Sequence, residues 1–252
     1  PSERVLGQSM QICDPAALHT AREFVRREIA VAHYADLRAI YDELSTAEEY
    51  SLDQIAVNRR RLKNTVLAYL SSRENEETTR LVVEQFQSAN NMTDSQAALR
   101  ILLDLTCEQR DAAIQTFYDR WKSNPLVLDK WFTLQAVSKR EDTFQSVLEL
   151  THHSDFHLSN PNRVRALLGA FTQNQVRFHA IDGAGYTLLR DYVLKIDTNN
   201  PQLAARLISV FNDNHRFDDQ RQTMMRGHLE QLAQVTELSK DVREIVERAL
   251  KF

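Results

Sequence analysis

Apolar residues recur at three- to five-residue steps along almost the whole chain, and that spacing leaves little but helices open to it. From Asp14 the segment DPAALHTAREFVRREIAVAHYADLRAIYDEL puts Leu18, Val25, Ile29, Leu37, Ile40 and Leu44 mostly on one face of a single long helix. Asp14 is placed to cap it, and Pro15 suits the first helical position, where a backbone N–H would have no partner in any case. The same grammar returns in DQIAVNRRRLKNTVLAYL, Asp53 to Leu70, with Ile55, Leu62, Val66, Leu67 and Leu70 apolar. It continues through ETTRLVVEQFQSA, TDSQAALRILLDL and EQRDAAIQTFYDRW, with Thr93 expected to cap the second of these. Five glycines in 252 residues fall well under the roughly 7% of average usage. Turn-bounded alternating runs that would mark strands are missing as well. The expected fold class is all-α, with helices joined by short polar links.

Asn-Pro pairs organise the second half. They stand at Asn124-Pro125, Asn160-Pro161 and Asn200-Pro201, about forty residues apart. In each, asparagine can accept a backbone N–H as the cap while proline presets φ for the helix that follows. A helix start at that interval, with a second helix fitted between, is the period of a HEAT or armadillo unit. The expectation is an α-superhelix of stacked antiparallel helix pairs whose concave face can hold a peptide, a protein or another domain. One of these starts is unusual: SNPNRVRALLGAF spends Arg163 and Arg165 on the first turn, against the helix dipole, at a cost of about a few tenths of a kcal/mol each.

Composition limits the function classes. The 35 acidic and 31 basic residues give a net charge of -4 and are interspersed, which argues against a nucleic-acid partner, whose affinity needs a basic face. No apolar run is long enough to suggest a membrane span, and no signal-peptide pattern opens the chain, so a cytoplasmic protein without a membrane partner is expected. Cys13 and Cys107 are far apart and are read as small buried hydrophobes in a reducing compartment. The first residue is Pro1, which leads us to expect a processed product or an excised piece of something longer.

Residues that could run chemistry are scarce. No His-Glu-x-x-His places two metal ligands one helical turn apart around a general base. His153 and His157 have the spacing of paired ligands, beside His152, but THHSDFHLSNP leaves a helix for a polar link and offers only Asp155 as a carboxylate, so a turn is the expected role. The loop DGAGY, Asp182 to Tyr186, lacks the third glycine and preceding strand of a nucleotide fingerprint and is read as a turn between helices. RRRLK, Arg59 to Lys63, is the most basic patch and is read as a solvated face. Trp121, Trp131 and Phe132 are assigned to core or interdomain packing. No catalytic constellation is found and no cofactor is expected in this chain.

Five blocks, NNMTDSQAAL, DKWFTLQA, SNPNRVRALLGAF, FHAIDGAGY and NNPQLAARLI, occur in an order and spacing that resemble the C-terminal domain of bacterial aminopeptidase N, a family of zinc-dependent gluzincin aminopeptidases. The resemblance runs from about Asp14 to the end, so residues 1–252 are expected to be a single helical C-terminal domain. It implies a HEAT-like superhelix packed on the catalytic domain of the same polypeptide, covering a closed chamber that admits peptides and excludes folded proteins. It also implies that zinc, the His-Glu-x-x-His helix and the Gly-Ala-Met-Glu-Asn stretch that binds a substrate α-amine belong to that other domain, since this chain has neither motif.

By the same resemblance, the second arginine of Asn-Pro-Asn-Arg-x-Arg and the Gln and Arg of the Asn-Pro-Gln element face the chamber; here these are Arg165, Gln202 and Arg206. Gln202 and Arg206 are i, i+4 and would share a helix face. A guanidinium there can grip a peptide carboxylate or carbonyl through paired N–H donors. The competing assignment is that the arginines make ion pairs between repeats or with the catalytic domain; Arg163 is assigned a structural role. A second function stays open beside the peptidase domain: a free-standing helical scaffold that binds another protein in its concave face.

Overall fold

The computed structural model describes residues 2–46 and 49–251, so Pro1 lies outside them. The helices in chain order are α1 (Glu3–Gln8), α2 (Pro15–Ala32), α3 (Tyr34–Leu44), α4 (Gln54–Leu70), α5 (Glu76–Ser88), α6 (Met92–Asp104), α7 (Gln109–Trp121), α8 (Pro125–Ala136), α9 (Thr143–Leu150), α10 (Pro161–Val164), α11 (Gln175–Phe178), α12 (Ala184–Asp197), α13 (Pro201–Ile208), α14 (Asp219–Ala233) and α15 (Lys240–Leu250). A π-helical turn, Arg165–Gly169, continues α10, and a 3-10 stretch, Ser209–Arg216, continues α13. Two compact units form: Pro1–His19 with Gln135–Phe252, and Thr20–Leu134.

The caps largely explain where helices begin. Asp14 Oδ1 accepts from Ala16 N at 2.9 Å and Ala17 N at 3.2 Å. All three Asn-Pro pairs act as start signals: Asn124 Oδ1 accepts from Leu126 N at 3.2 Å, Asn160 Oδ1 from Asn162 N at 3.1 Å, and Asn200 Oδ1 from Leu203 N at 3.0 Å. Each proline then takes the first helical position. Asn91, not Thr93, caps α6: its Oδ1 reaches Asp94 N at 2.9 Å, which starts the helix one residue before the threonine.

In the unit Thr20–Leu134, α3 packs on α4, α5 on α6, and α6 on α7, the last two pairs joined by the short links 89–91 and 105–108. The single long helix expected from Asp14 breaks at His33, where φ is −115° and ψ is 25°. Along α4 the apolar face is buried only in its second half. Val66, Leu67 and Leu70 are core, whereas Ile55 is 81% and Leu62 49% exposed.

In the other unit, α12 packs on α13, and α13 and α14 both pack on α15. Its centre is a ladder of rings. Phe178 meets Phe171 edge-on at 5.7 Å and Tyr186 at 5.4 Å, and Tyr186 meets Phe211 at 5.4 Å. The loop DGAGY is the turn into α12: Gly183 is left-handed at φ 69°, a conformation that suits glycine. Two residues on, a Cβ at Gly185 would stand 2.4 Å from the Phe178 carbonyl oxygen, so this contact admits no side chain.

The N-terminal segment straps onto this unit. Cys13 N donates to Arg216 O at 2.7 Å beside an isolated bridge between Cys13 and Phe217. Glu3 accepts from Lys139 Nζ at 2.7 Å and lies 2.9 Å from His19 Nδ1. Burial alone would raise the Glu3 carboxyl, but these hydrogen bonds outweigh it and bring it down to about 2.

Candidate functional site

The site builds from Asn160. Its cap starts α10, and after one α-turn the backbone widens into the π turn beginning at Arg165. Val164, Leu167, Leu168 and Phe171 are all buried, so this short helix is enclosed on most of its circumference. The open strip carries Asn162 and Arg165. Arg165 Nη1 donates to Asn162 Oδ1 at 3.0 Å, which orients the guanidinium without neutralising it.

Arg163 goes the other way. It is 4% exposed and its Nη1 donates to the Asp155 carbonyl at 3.3 Å, in keeping with a structural role. A buried guanidinium near the start of a helix is tolerable when carbonyl dipoles face it.

Gln202 and Arg206 are both exposed on α13, one turn apart, while Leu203, Ala204, Leu207 and Ile208 face inward. Among the described residues neither side chain makes a hydrogen bond, and neither Arg165 nor Arg206 makes an ion pair. The π turn and α13 meet at Gly169: a Cβ placed there would sit 3.7 Å from Arg165 Cβ and 3.9 Å from Leu207 Cδ2. Gly169 therefore lies beside Arg165 and against the residue that follows Arg206. Two cations and one amide are displayed on neighbouring elements, with hydrogen-bonding capacity left for an anion or a peptide group. Asn162 and Gly169 escaped the sequence reading. An amide three residues before the arginine was the available signal for Asn162; the π turn has none.

Other candidate residues have local employment. His153 Nδ1 accepts from Asp155 N at 3.1 Å, and His152 Nδ1 is 2.9 Å from Leu148 O. With His157 they lie in a turn, and neither His153 nor His157 joins a cluster of three potential metal ligands among the described residues.

RRRLK is more than a solvated face. Arg59 Nη2 donates to Glu43 O at 2.6 Å, Arg60 Nη2 donates to Ser51 O at 2.9 Å and stacks over Tyr50, and Lys63 pairs with Asp94 at 2.5 Å. These contacts tie the end of α3, the link before α4 and the start of α6 to the α4 helix. Trp131 is core, its Nε1 donating to Ile114 O at 3.0 Å and its ring 5.0 Å from Phe132, whereas Trp121 is only half-buried. Cys13 is buried as expected, and Cys107 is half-buried.

Comparison with known proteins supplies context. The family described as "Domain of unknown function (DUF3458_C) ARM repeats" matches residues 1–251. The chain is 39% identical to an aminopeptidase N of Caulobacter vibrioides over 252 residues, covering 99% of this chain and 29% of that protein. It is 39% identical to the aminopeptidase N of Escherichia coli over 251 residues, again 29% of the relative's length, and 35% identical to that of Haemophilus influenzae over 252 residues. A crystal structure of Legionella pneumophila aminopeptidase A in complex with aspartic acid superposes with a TM-score of 0.92 at 32% identity, covering 100% of this chain and 30% of the other. The chain thus spans about three tenths of the length of the relatives it matches.

Proposed function

The chain belongs to the ARM-repeat family that matches residues 1–251, and from that premise we propose that it is the helical, noncatalytic C-terminal domain of a zinc aminopeptidase. Its role there is to cap the chamber in which N-terminal residues are removed from peptides and to control which peptides enter. Zinc and its catalytic base belong to another part of the polypeptide. The proposed work of this chain's own side chains is binding. Arg165 and Arg206 donate paired N–H groups to a substrate carboxylate or carbonyl, and Gln202 supplies an amide that can donate and accept.

The observation that carries the reading is the juxtaposition across Gly169. It sets the Arg165 turn against α13, with Arg206 and Gln202 exposed there and committed to no partner among the described residues. Support also comes from the full-length match to parts of proteins named aminopeptidase N. We expect the purified chain, given zinc, to leave an aminoacyl-arylamide intact. Chelator-sensitive turnover by the pure chain would show that catalysis resides here and that the noncatalytic assignment is wrong.

A further inference from the structure

The unit Thr20–Leu134 holds a half-open cavity of about 260 Å³ walled by α5 and α7 and floored by α6. Phe86, Phe117 and Trp121 supply aromatic surface, Ala112 and Ala113 keep the α7 wall low, and Arg120 stands at the rim. The space exceeds the roughly 150 Å³ that takes up a benzene ring and is smaller than the ~300 Å³ and upward typical of drug-sized ligands. It therefore suits one large apolar side chain.

The charge around it is unbalanced in a specific way. Among the described residues Arg120 makes no ion pair or hydrogen bond through its side chain. Both acids of α7 are engaged elsewhere, Asp111 with Arg110 at 2.9 Å and Asp119 with Lys122 at 2.9 Å. On the α5 wall, Glu84 lies 3.8 Å from Arg80. A free cation beside an aromatic pocket, with both acids of α7 already paired, complements a ligand that joins an apolar group to a carboxylate. It complements a free amino acid less well, because the ammonium is repelled by Arg120 and both acids of α7 are already paired. Gln87, Gln109 and Thr116 on the walls offer donors and acceptors to a chain leading away through the open side.

We propose that this cavity binds the C-terminal residue of a peptide, an aromatic or branched side chain entering between α5 and α7 while its carboxylate pairs with Arg120. The inference stands apart from the chamber residues and does not depend on the peptidase reading.

The test is a titration of the purified chain followed at the Trp121 indole N–H by NMR, with Trp131, whose indole is held by Ile114, as the internal control. The probes are N-acetyl-phenylalanine, its C-terminal amide, the tripeptide Ala-Ala-Phe and free phenylalanine. Expected is a saturable shift of Trp121 alone with the acetylated acid and the tripeptide, and binding at least about tenfold weaker for the amide and for free phenylalanine. Arg120→Gln, a change at an exposed position, should weaken the acid by about the same factor and leave the amide unchanged. Equal binding of acid and amide, equal binding of free phenylalanine, or no Trp121 shift with any probe would overturn the proposal.

Discussion

His179 Nδ1 lies 2.8 Å from Tyr186 Oη inside the ring ladder, and His179 is only 1% exposed. Burial, reinforced by the positive Arg221 whose Nε donates to the His179 carbonyl, depresses the imidazole to about 3. Burial likewise pushes the Tyr186 phenol upward. The native state therefore keeps His179 neutral, whereas the unfolded chain protonates it near the usual ~6.5. Below that value the unfolded state binds more protons, so stability is complete above pH ~6.5 and falls as pH drops toward 3, by up to about 1.4 kcal/mol per pH unit from this group. Urea midpoints between pH 7 and pH 5 should fall for the wild type and fall less for His179→Gln. Parallel pH dependences would refute the assignment.

Glu3 acts in a lower window. Its carboxyl is held down to about 2 against an ordinary 4.5, so its contribution is present above pH ~4.5 and lost as pH falls toward 2. Glu3→Gln should remove that acid-limb dependence and lower stability at pH 7. Equal acid-limb slopes in wild type and variant would contradict this.

Two glycines should respond oppositely to the same methyl group. Gly185→Ala places a Cβ 2.4 Å from the Phe178 carbonyl, which cannot move without displacing the ring ladder; a loss of about 3 kcal/mol is expected. Gly227, inside α14, has nothing within 4 Å of a placed Cβ, so Gly227→Ala should stabilise by about 0.5–1 kcal/mol through helix propensity. Thermal denaturation of the pair decides it.

The three Asn-Pro starts were legible because capping is local chemistry: an Asn side chain and a proline ring act within three residues of each other. Replacing Asn124, Asn160 or Asn200 by alanine should each cost about 1 kcal/mol, and an unchanged denaturation midpoint would deny the cap its role.

Fold class and repeat organisation followed from the same short-range signals, together with the period of apolar residues. The break at His33 had no such signal, since neither proline nor glycine marks it. Nor did the π turn at Arg165, where burial on most sides accompanies a backbone the sequence does not advertise. The exposure of Ile55 and Leu62 was invisible for a different reason: period identifies an apolar face but does not say what covers it. At the candidate site, the helix-sharing of Gln202 and Arg206 was readable from i, i+4 spacing. The approach of Arg165 to α13 depended on a tertiary contact at Gly169.

The most direct test of the proposed role is a comparison of peptide and arylamide kinetics in the intact polypeptide that carries this chain with its catalytic domain, wild type against Arg206→Ala. An arylamide has nothing beyond the scissile bond for Arg206 to hold. The account predicts that kcat/KM for a tetrapeptide falls about tenfold or more, mainly through KM, while the arylamide and the melting temperature stay unchanged. Unchanged peptide kinetics with a lowered melting temperature would contradict it and return Arg206 to an interdomain ion pair.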